Sequence, residues 1–208
     1  MAISCFYTEI VINQFARDDE NIYQALNKHA GFWNVHRYCL QSTFFITLSR
    51  VFDVSGDVRS IHTLLSTAIK HPELFSKDAL RTRKIAIVHG TPDWLEAFIN
   101  EAWEPTVPDL RELRKSLKSF MATFQALYAP VRNQVFAHSI VTDQQLINEL
   151  FERLRIAEID QLLYGLRDLL SNLSDLFYNG HKPALGKNTY SYKDRITETF
   201  DGYSSISA

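Results

Sequence analysis

Three side chains in one short segment could together do chemistry on a phosphodiester. Arg132, Asn133 and His138 all lie within residues 130–138. An arginine guanidinium holds a phosphate through two parallel hydrogen bonds, and a histidine imidazole moves protons near neutral pH. These groups are sufficient for cleaving RNA without a metal ion. No other stretch of the sequence combines chemistry and spacing so closely.

The spacing of these residues favours a site shared by two chains. Arg132 and His138 are six residues apart, which separates them by about 240° around an ideal α-helix. One chain alone could not easily direct both side chains at one phosphate. Two chains related by a two-fold axis can, because each contributes its helix to a common cleft. The alternative is that both residues pair with carboxylates or cap a helix and only support structure.

Each residue of the segment has an expected role in the predicted reaction, which is attack by the RNA 2′-hydroxyl. His138 accepts or donates the proton, and Arg132 neutralises charge on the phosphorane oxygens. Asn133 binds the phosphate or holds His138 in one tautomer. A helix that begins at Pro130 adds partial positive charge from its N-terminus. The prediction requires no metal and no cofactor, and DNA resists cleavage because it lacks the 2′-hydroxyl.

A second pair, Arg50 and Asp53, is predicted to bind substrate. The two residues are three apart at the end of an apolar segment, so on a helix they are neighbours on one face. They could line the same cleft, with Asp53 orienting His138 or Arg132. The alternative is an ion pair within one helix.

The apolar spacing predicts an all-α protein, since no stretch alternates as a strand does. We expect one helical domain at 1–180 and a C-terminal tail or arm at 181–208, either packed on a neighbour or poorly ordered. A break is expected at Gly31, Ser76 is an expected N-cap, and Thr142-Asp143 is the N-cap candidate of the last helix. The helix beginning at Trp33 is expected to be the most buried. The predicted helices are 6–29 (whole or as two shorter helices), 33–52, 58–70, 76–88, 93–103, 109–128, one restarted by Pro130, and a last one from 142 to 178 with a bend near Ala157.

Charge and cysteine content limit the class of protein. The net charge of −2 argues against a protein that grips nucleic acid with its whole surface. Two isolated cysteines fit a reducing compartment, and neither a secretory signal nor a long apolar run is present. We therefore expect a cytoplasmic protein without a membrane segment. Two cationic clusters, Arg81/Arg83/Lys84 and Arg111/Arg114/Lys115/Lys118, are interpreted as solvated helix faces.

The 130–138 segment resembles the signature of the HEPN superfamily of small helical proteins. That signature has an Arg, a polar residue that is most often Asn, and a His after a short spacing, here Arg132, Asn133 and His138. The sequence Leu48-x-Arg50-x-x-Asp53 resembles an element of the abortive-infection AbiU branch, in which a Leu-rich helix follows. The resemblance covers about residues 5–178.

The resemblance implies a HEPN-like up-and-down helical bundle with additional helices and a C-terminal tail. It also implies a metal-independent endoribonuclease of toxin or abortive-infection type, with RNA as substrate and the site at a homodimer interface. Two alternatives stay open: an inactive HEPN-like module that binds RNA, a nucleotide or a protein partner, and a helical interaction protein. A nucleotidyltransferase-type antitoxin is a further expected partner. Some HEPN toxins carry a modifiable Tyr two residues after the His. Ile140 occupies that position here, which argues against control by modification.

Overall fold

The computed structural model describes residues 1–55, 58–137, 143–187, 192–194 and 196–198. These residues form helices and no strand, which confirms the predicted all-α fold. Besides α-helices, the described residues include a 3₁₀-helix at Pro72–Phe75 and two π-helical segments, Phe124–Tyr128 and Arg132–Ala137. Within the described residues the α-helices are α1 (Ala2–Asp18), α2 (Glu20–Lys28), α3 (Ala30–Val51), α4 (Ile61–Lys70), α5 (Lys77–Val88), α6 (Leu95–Glu101), α7 (Val107–Thr123), α8 (Ala129–Val131), α9 (Gln144–Glu152) and α10 (Ile156–Asn179).

The chain forms two compact units. The first contains Met1–Val51 and Ala126–Leu154, and the second contains Phe52–Gln125 and Arg155–Thr189. The predicted domain boundary at residue 180 stays a prediction.

Polar side chains at the helix ends explain where several helices begin. The Asp19 carboxylate accepts hydrogen bonds from the backbone N–H groups of Asn21 and Ile22, so the first predicted helix is two shorter ones. The break expected at Gly31 lies two residues earlier, at His29 between α2 and α3. The predicted caps are confirmed: Ser76 Oγ accepts from Ala79 N, and Asp143 Oδ1 accepts from Gln145 N.

In the first unit, α1 packs along α3. The Glu9 carboxylate on α1 accepts hydrogen bonds from Arg37 Nε at 3.0 Å and Gln41 Nε2 at 3.2 Å, both on α3. The expectation that this helix is the most buried is wrong. Only Phe44, Phe45 and Leu48 of α3 are buried, whereas α10 buries nine residues. Apolar residues on all sides of a helix normally indicate burial, but Phe32, Val35 and Tyr38 in the N-terminal half of α3 are exposed.

The second unit has its core around α10. α10 buries mostly leucines and packs on α5 and α7, and α4 packs on α7. Gly180 ends α10 with φ of 68°, and a Cβ there would lie 2.6 Å from Ala102 Cβ, so the position requires glycine. The long last helix of the prediction is instead α9 and α10, separated at residues 153–155.

The chain directly after α10 is held by two buried polar side chains of that helix. Asn172 Oδ1 accepts from Ala184 N at 2.7 Å, and Asp168 Oδ2 accepts from Gly186 N at 2.6 Å. Buried polar groups require such partners. Ala184 and Gly186 are therefore held against α10 of their own unit. The C-terminal tail or arm expected at 181–208 stays a prediction.

A carboxylate at the N-terminus of α7 is expected to make the stability of the protein depend on pH. Thr106 caps α7, and its Oγ1 and N–H both donate to Asp109 Oδ2. The hydroxyl and then the N–H of Thr106 lower the pKa of Asp109. The contribution of this carboxylate to stability is thus present above the pKa of an unfolded Asp, about 3.9, and is lost as the pH falls through the depressed pKa.

We expect Thr106→Ala to lower the melting temperature at pH 7. The gap to the wild type should shrink as the pH is lowered through this acid range, because protonated Asp109 no longer gains from the hydroxyl of Thr106. Thermal unfolding followed by circular dichroism measures the gap. A gap that stays constant or widens at acid pH would show that Thr106 acts independently of Asp109.

Candidate functional site

Arg132 lies directly after α8 and begins the π-helical segment Arg132–Ala137. The predicted restart of a helix at Pro130 is wrong, because the helical residues continue from Val107 through Ala137. Inside an α-helix the proline ring collides with the carbonyl four residues earlier. That carbonyl belongs here to the π-helical segment Phe124–Tyr128, whose altered turn makes room for the ring. No free helix N-terminus therefore adds positive charge at Arg132.

The π-helical geometry also changes the expected angle around the helix axis between residues six apart. Hydrogen bonds in a π-helix join residues five apart, so a turn holds more residues than in an α-helix. The separation of about 240° between residues six apart assumes α geometry, and this assumption is wrong for Arg132–Ala137. Single π turns occur frequently at functional sites. His138 and Ile140 lie outside the described residues.

The side chain of Arg132 is partly buried and partly paired. Its Nη1 donates to Asn133 Oδ1 at 2.7 Å, so Asn133 holds one side of the guanidinium. Arg132 Nε is buried and has no hydrogen-bond partner in the described part of the chain. Such a buried donor needs an explanation, since leaving it unpaired costs about 1–3 kcal/mol. The sequence predicts that Asn133 binds the phosphate or holds His138 in one tautomer, and this stays a prediction. The contact between Asn133 and Arg132 is an additional finding of the structure.

A cluster of aromatic rings fixes the segment that carries Arg132. Phe136 stacks on Phe45 of α3 with ring centroids 5.1 Å apart, and it also contacts Tyr38 and Phe151. Phe45 further contacts Tyr128, just before α8. These rings attach the segments before and after Arg132 to one helix. This role was not predicted from the sequence, although Phe136 within the motif and the aromatic residues of α3 were available signals.

The N-terminal half of α3 presents an apolar surface in the same unit. We define the α3 face as Phe32, Val35 and Tyr38, whose exposed fractions are 65%, 64% and 54%. Tyr38 also contacts Phe136, with ring centroids 5.7 Å apart, which links the α3 face to the Arg132 segment. Contiguous exposed apolar side chains are typical of interaction surfaces.

Arg50 and Asp53 do not share a helix. α3 ends at Val51, so Asp53 lies beyond it, and the expectation of neighbours on one helical face is wrong. Asp53 Oδ1 instead accepts from the N–H and the hydroxyl of Ser55, which forms a local turn. Arg50 is exposed and makes no hydrogen bond or ion pair with another described residue. A role of either residue in substrate binding stays a prediction.

The His, Cys, Asp and Glu side chains of the described residues form no group of three that could hold a metal ion. None of their helices combines the length and the apolar character needed to cross a membrane.

An all-helical fold with an Arg-Asn pair, followed in sequence by histidine, is typical of HEPN domains. The HEPN family model described as AbiU2 matches residues 2–197, and the chain belongs to this family, which is of abortive-infection type. The match extends beyond the 5–178 resemblance at both ends and includes most of the tail. No curated protein and no solved structure matches the chain.

Proposed function

We propose that this protein is a metal-independent endoribonuclease whose site forms between two copies of the chain. The observation that carries the proposal is the guanidinium of Arg132. Asn133 orients one side of it, and its buried Nε–H has no partner among the described residues. A phosphate oxygen is an acceptor that suits this donor, because charge-assisted hydrogen bonds from arginine to phosphate are strong and directional.

The proposed reaction is an internal transesterification. The 2′-oxygen forms a bond to phosphorus while the bond to the 5′-oxygen breaks, so the products carry a 2′,3′-cyclic phosphate and a 5′-hydroxyl. One His138 takes the proton of the 2′-hydroxyl, and the His138 of the second copy, in its protonated form, gives a proton to the 5′-oxygen. An unperturbed imidazole has a pKa of about 6.5, so both forms exist near neutral pH. Arg132 stabilises the negative charge on the phosphorane.

The assay that tests this function uses single-stranded RNA with EDTA present. We expect fragments that end in 2′,3′-cyclic phosphate. DNA and 2′-O-methyl RNA of the same sequence should stay intact, because neither has a free 2′-hydroxyl. Binding without cleavage would instead support the inactive HEPN-like module. Cleavage of DNA, or cleavage that requires a metal ion, would refute the mechanism.

The α3 face supports the second copy as partner. Its three apolar side chains are exposed in the single chain and adjoin the Arg132 segment through Tyr38 and Phe136. A two-fold axis brings the same face of two chains together and so places both Arg132 segments near one interface. A protein antitoxin that blocks the resulting cleft sterically is a further proposal.

We expect the double variant Phe32→Glu/Val35→Glu to be monomeric and to lose RNA cleavage, since burying unpaired carboxylates in an interface is strongly unfavourable. Analytical ultracentrifugation measures the oligomeric state. The matched control is Ile87→Glu/Val88→Glu, which changes two exposed apolar residues of α5 in the other unit. The control should stay dimeric and active. A dimeric, active α3-face variant would exclude this interface, and an active wild-type monomer would exclude the composite site.

A further inference from the structure

A groove lined by cations runs between α4 and α7 in the second unit. It has a volume of about 480 Å³, and Arg111, Arg114, Lys115 and Lys118 of α7 line it. All four side chains are exposed. The groove concentrates positive charge in a protein whose net charge is −2. The sequence alone favoured a solvated helix face for these residues, but the structure places all four around one concave site.

The charges of this groove are mostly unbalanced. The four residues follow one face of α7 over about 10 Å, and like charges three or four residues apart destabilise a helix. Lys115 pairs with Glu112 at 2.6 Å, whereas Arg111, Arg114 and Lys118 make no ion pair with another described residue. By contrast, the exposed Arg81 pairs with both Asp78 and Glu96. The three uncompensated cations indicate an anionic ligand that bridges them.

The rest of the groove lining is apolar or aromatic. Leu117 and Met121 come from α7 itself, and His62 comes from α4, with its Nε2 2.9 Å from Met121 Sδ. Burial, and then the charge of Arg114, lower the pKa of His62, which favours the uncharged form of its ring. An uncharged imidazole beside a thioether offers a surface on which a nucleobase can stack. Cations on α7 and an aromatic ring on α4 match the two parts of a nucleotide.

We propose that this groove binds a single-stranded segment of RNA outside the Arg132 site. Arg111, Arg114 and Lys118 contact successive phosphates, and His62 stacks on a base between them. The choice of RNA as the nucleic acid rests on the proposed function, whereas the groove itself is independent of Arg132. A ribonuclease that holds its substrate at a second place gains affinity without changing the chemistry of cleavage.

The test measures binding of fluorescent 2′-O-methyl RNA, which the proposed chemistry cannot cleave, by anisotropy at several salt concentrations. We expect the groove variant Arg111→Ala/Arg114→Ala/Lys118→Ala to bind about tenfold more weakly or worse at low salt. The slope of log affinity against log salt should decrease by about 2, since each phosphate contact on a single strand contributes about 0.7. His62→Ala should weaken binding about fivefold or more with an unchanged slope, and His62→Phe should restore it.

The matched control is Arg17→Ala/Lys28→Ala/Lys70→Ala, which removes three exposed cations elsewhere. Helical circular dichroism confirms that each variant is folded. The inference is overturned if the wild type does not bind, if the groove variant binds as the wild type does, or if control and groove variants lose equal affinity. It is also overturned if polyglutamate occupies the groove more tightly than the RNA. If binding depends on the groove but natural RNA stays intact, the nuclease proposal fails and the groove stands.

Discussion

Replacing Arg132 or His138 by alanine is expected to reduce the rate of RNA cleavage by about a hundredfold or more. A preorganised donor to a developing oxyanion contributes about 10²–10³ in rate, and general acid–base catalysis contributes about 10²–10⁴. Arg132→Lys should recover only part of the loss, because an ammonium group cannot bond the phosphate and Asn133 with the planar geometry of a guanidinium. The double variant should be little slower than the worse single variant, since the residues act as a unit.

Single-turnover cleavage of labelled RNA at saturating protein measures these rates apart from binding. The control is Arg153→Ala, which removes an exposed arginine just beyond α9, in the same unit. It should cleave at the wild-type rate. Each variant must remain a folded dimer by ultracentrifugation. Arg132→Ala protein that cleaves as fast as the wild type would leave no catalytic role for the guanidinium.

The second large effect is expected at the aromatic cluster that holds the Arg132 segment on α3. Phe45 is 3% exposed and contacts the rings of Phe44, Tyr128, Phe136 and Phe151. Phe45→Ala removes the ring that these four share and leaves a cavity. Large-to-small changes of a buried Phe cost about 3–5 kcal/mol in the free energy of unfolding. We expect Phe45→Ala to lower the free energy of unfolding by that amount. We also expect slower cleavage, because Phe136, which is four residues after Arg132, loses its stacking partner.

Urea unfolding followed by helical circular dichroism measures the change in stability. The control is Ile87→Ala, which truncates an exposed apolar residue on α5 and should change the free energy of unfolding by less than about 0.5 kcal/mol. A Phe45→Ala variant as stable as this control would mean that the ring cluster does not hold the Arg132 segment on α3.

The features that the sequence predicted correctly are local ones. The all-α class follows from apolar residues at helical spacing, and the N-caps Ser76 and Asp143 follow from hydrogen bonds within the first turn of their own helices. The resemblance to AbiU-like HEPN proteins was recognisable for the same reason, since the residues that carry it stand close together in the sequence. The match of the AbiU2 family model to residues 2–197 confirms it.

Other features depend on packing between segments that are distant in the chain. Apolar spacing alone could not distinguish the buried Phe45 from the exposed Phe32 on α3, because burial depends on whether another element covers that side. The π-helical turns around Pro130 adjust the backbone to a proline that the sequence alone places at a helix start.

The groove around Arg111 exists because α4 packs beside α7, which makes a charged helix face part of a concave site. The sequence by itself thus determined the helices, their caps and the residue types that could do chemistry, since these follow from interactions within a few residues. Only the tertiary structure decided which apolar faces are covered and which cations share a groove, because those properties arise where separate helices meet.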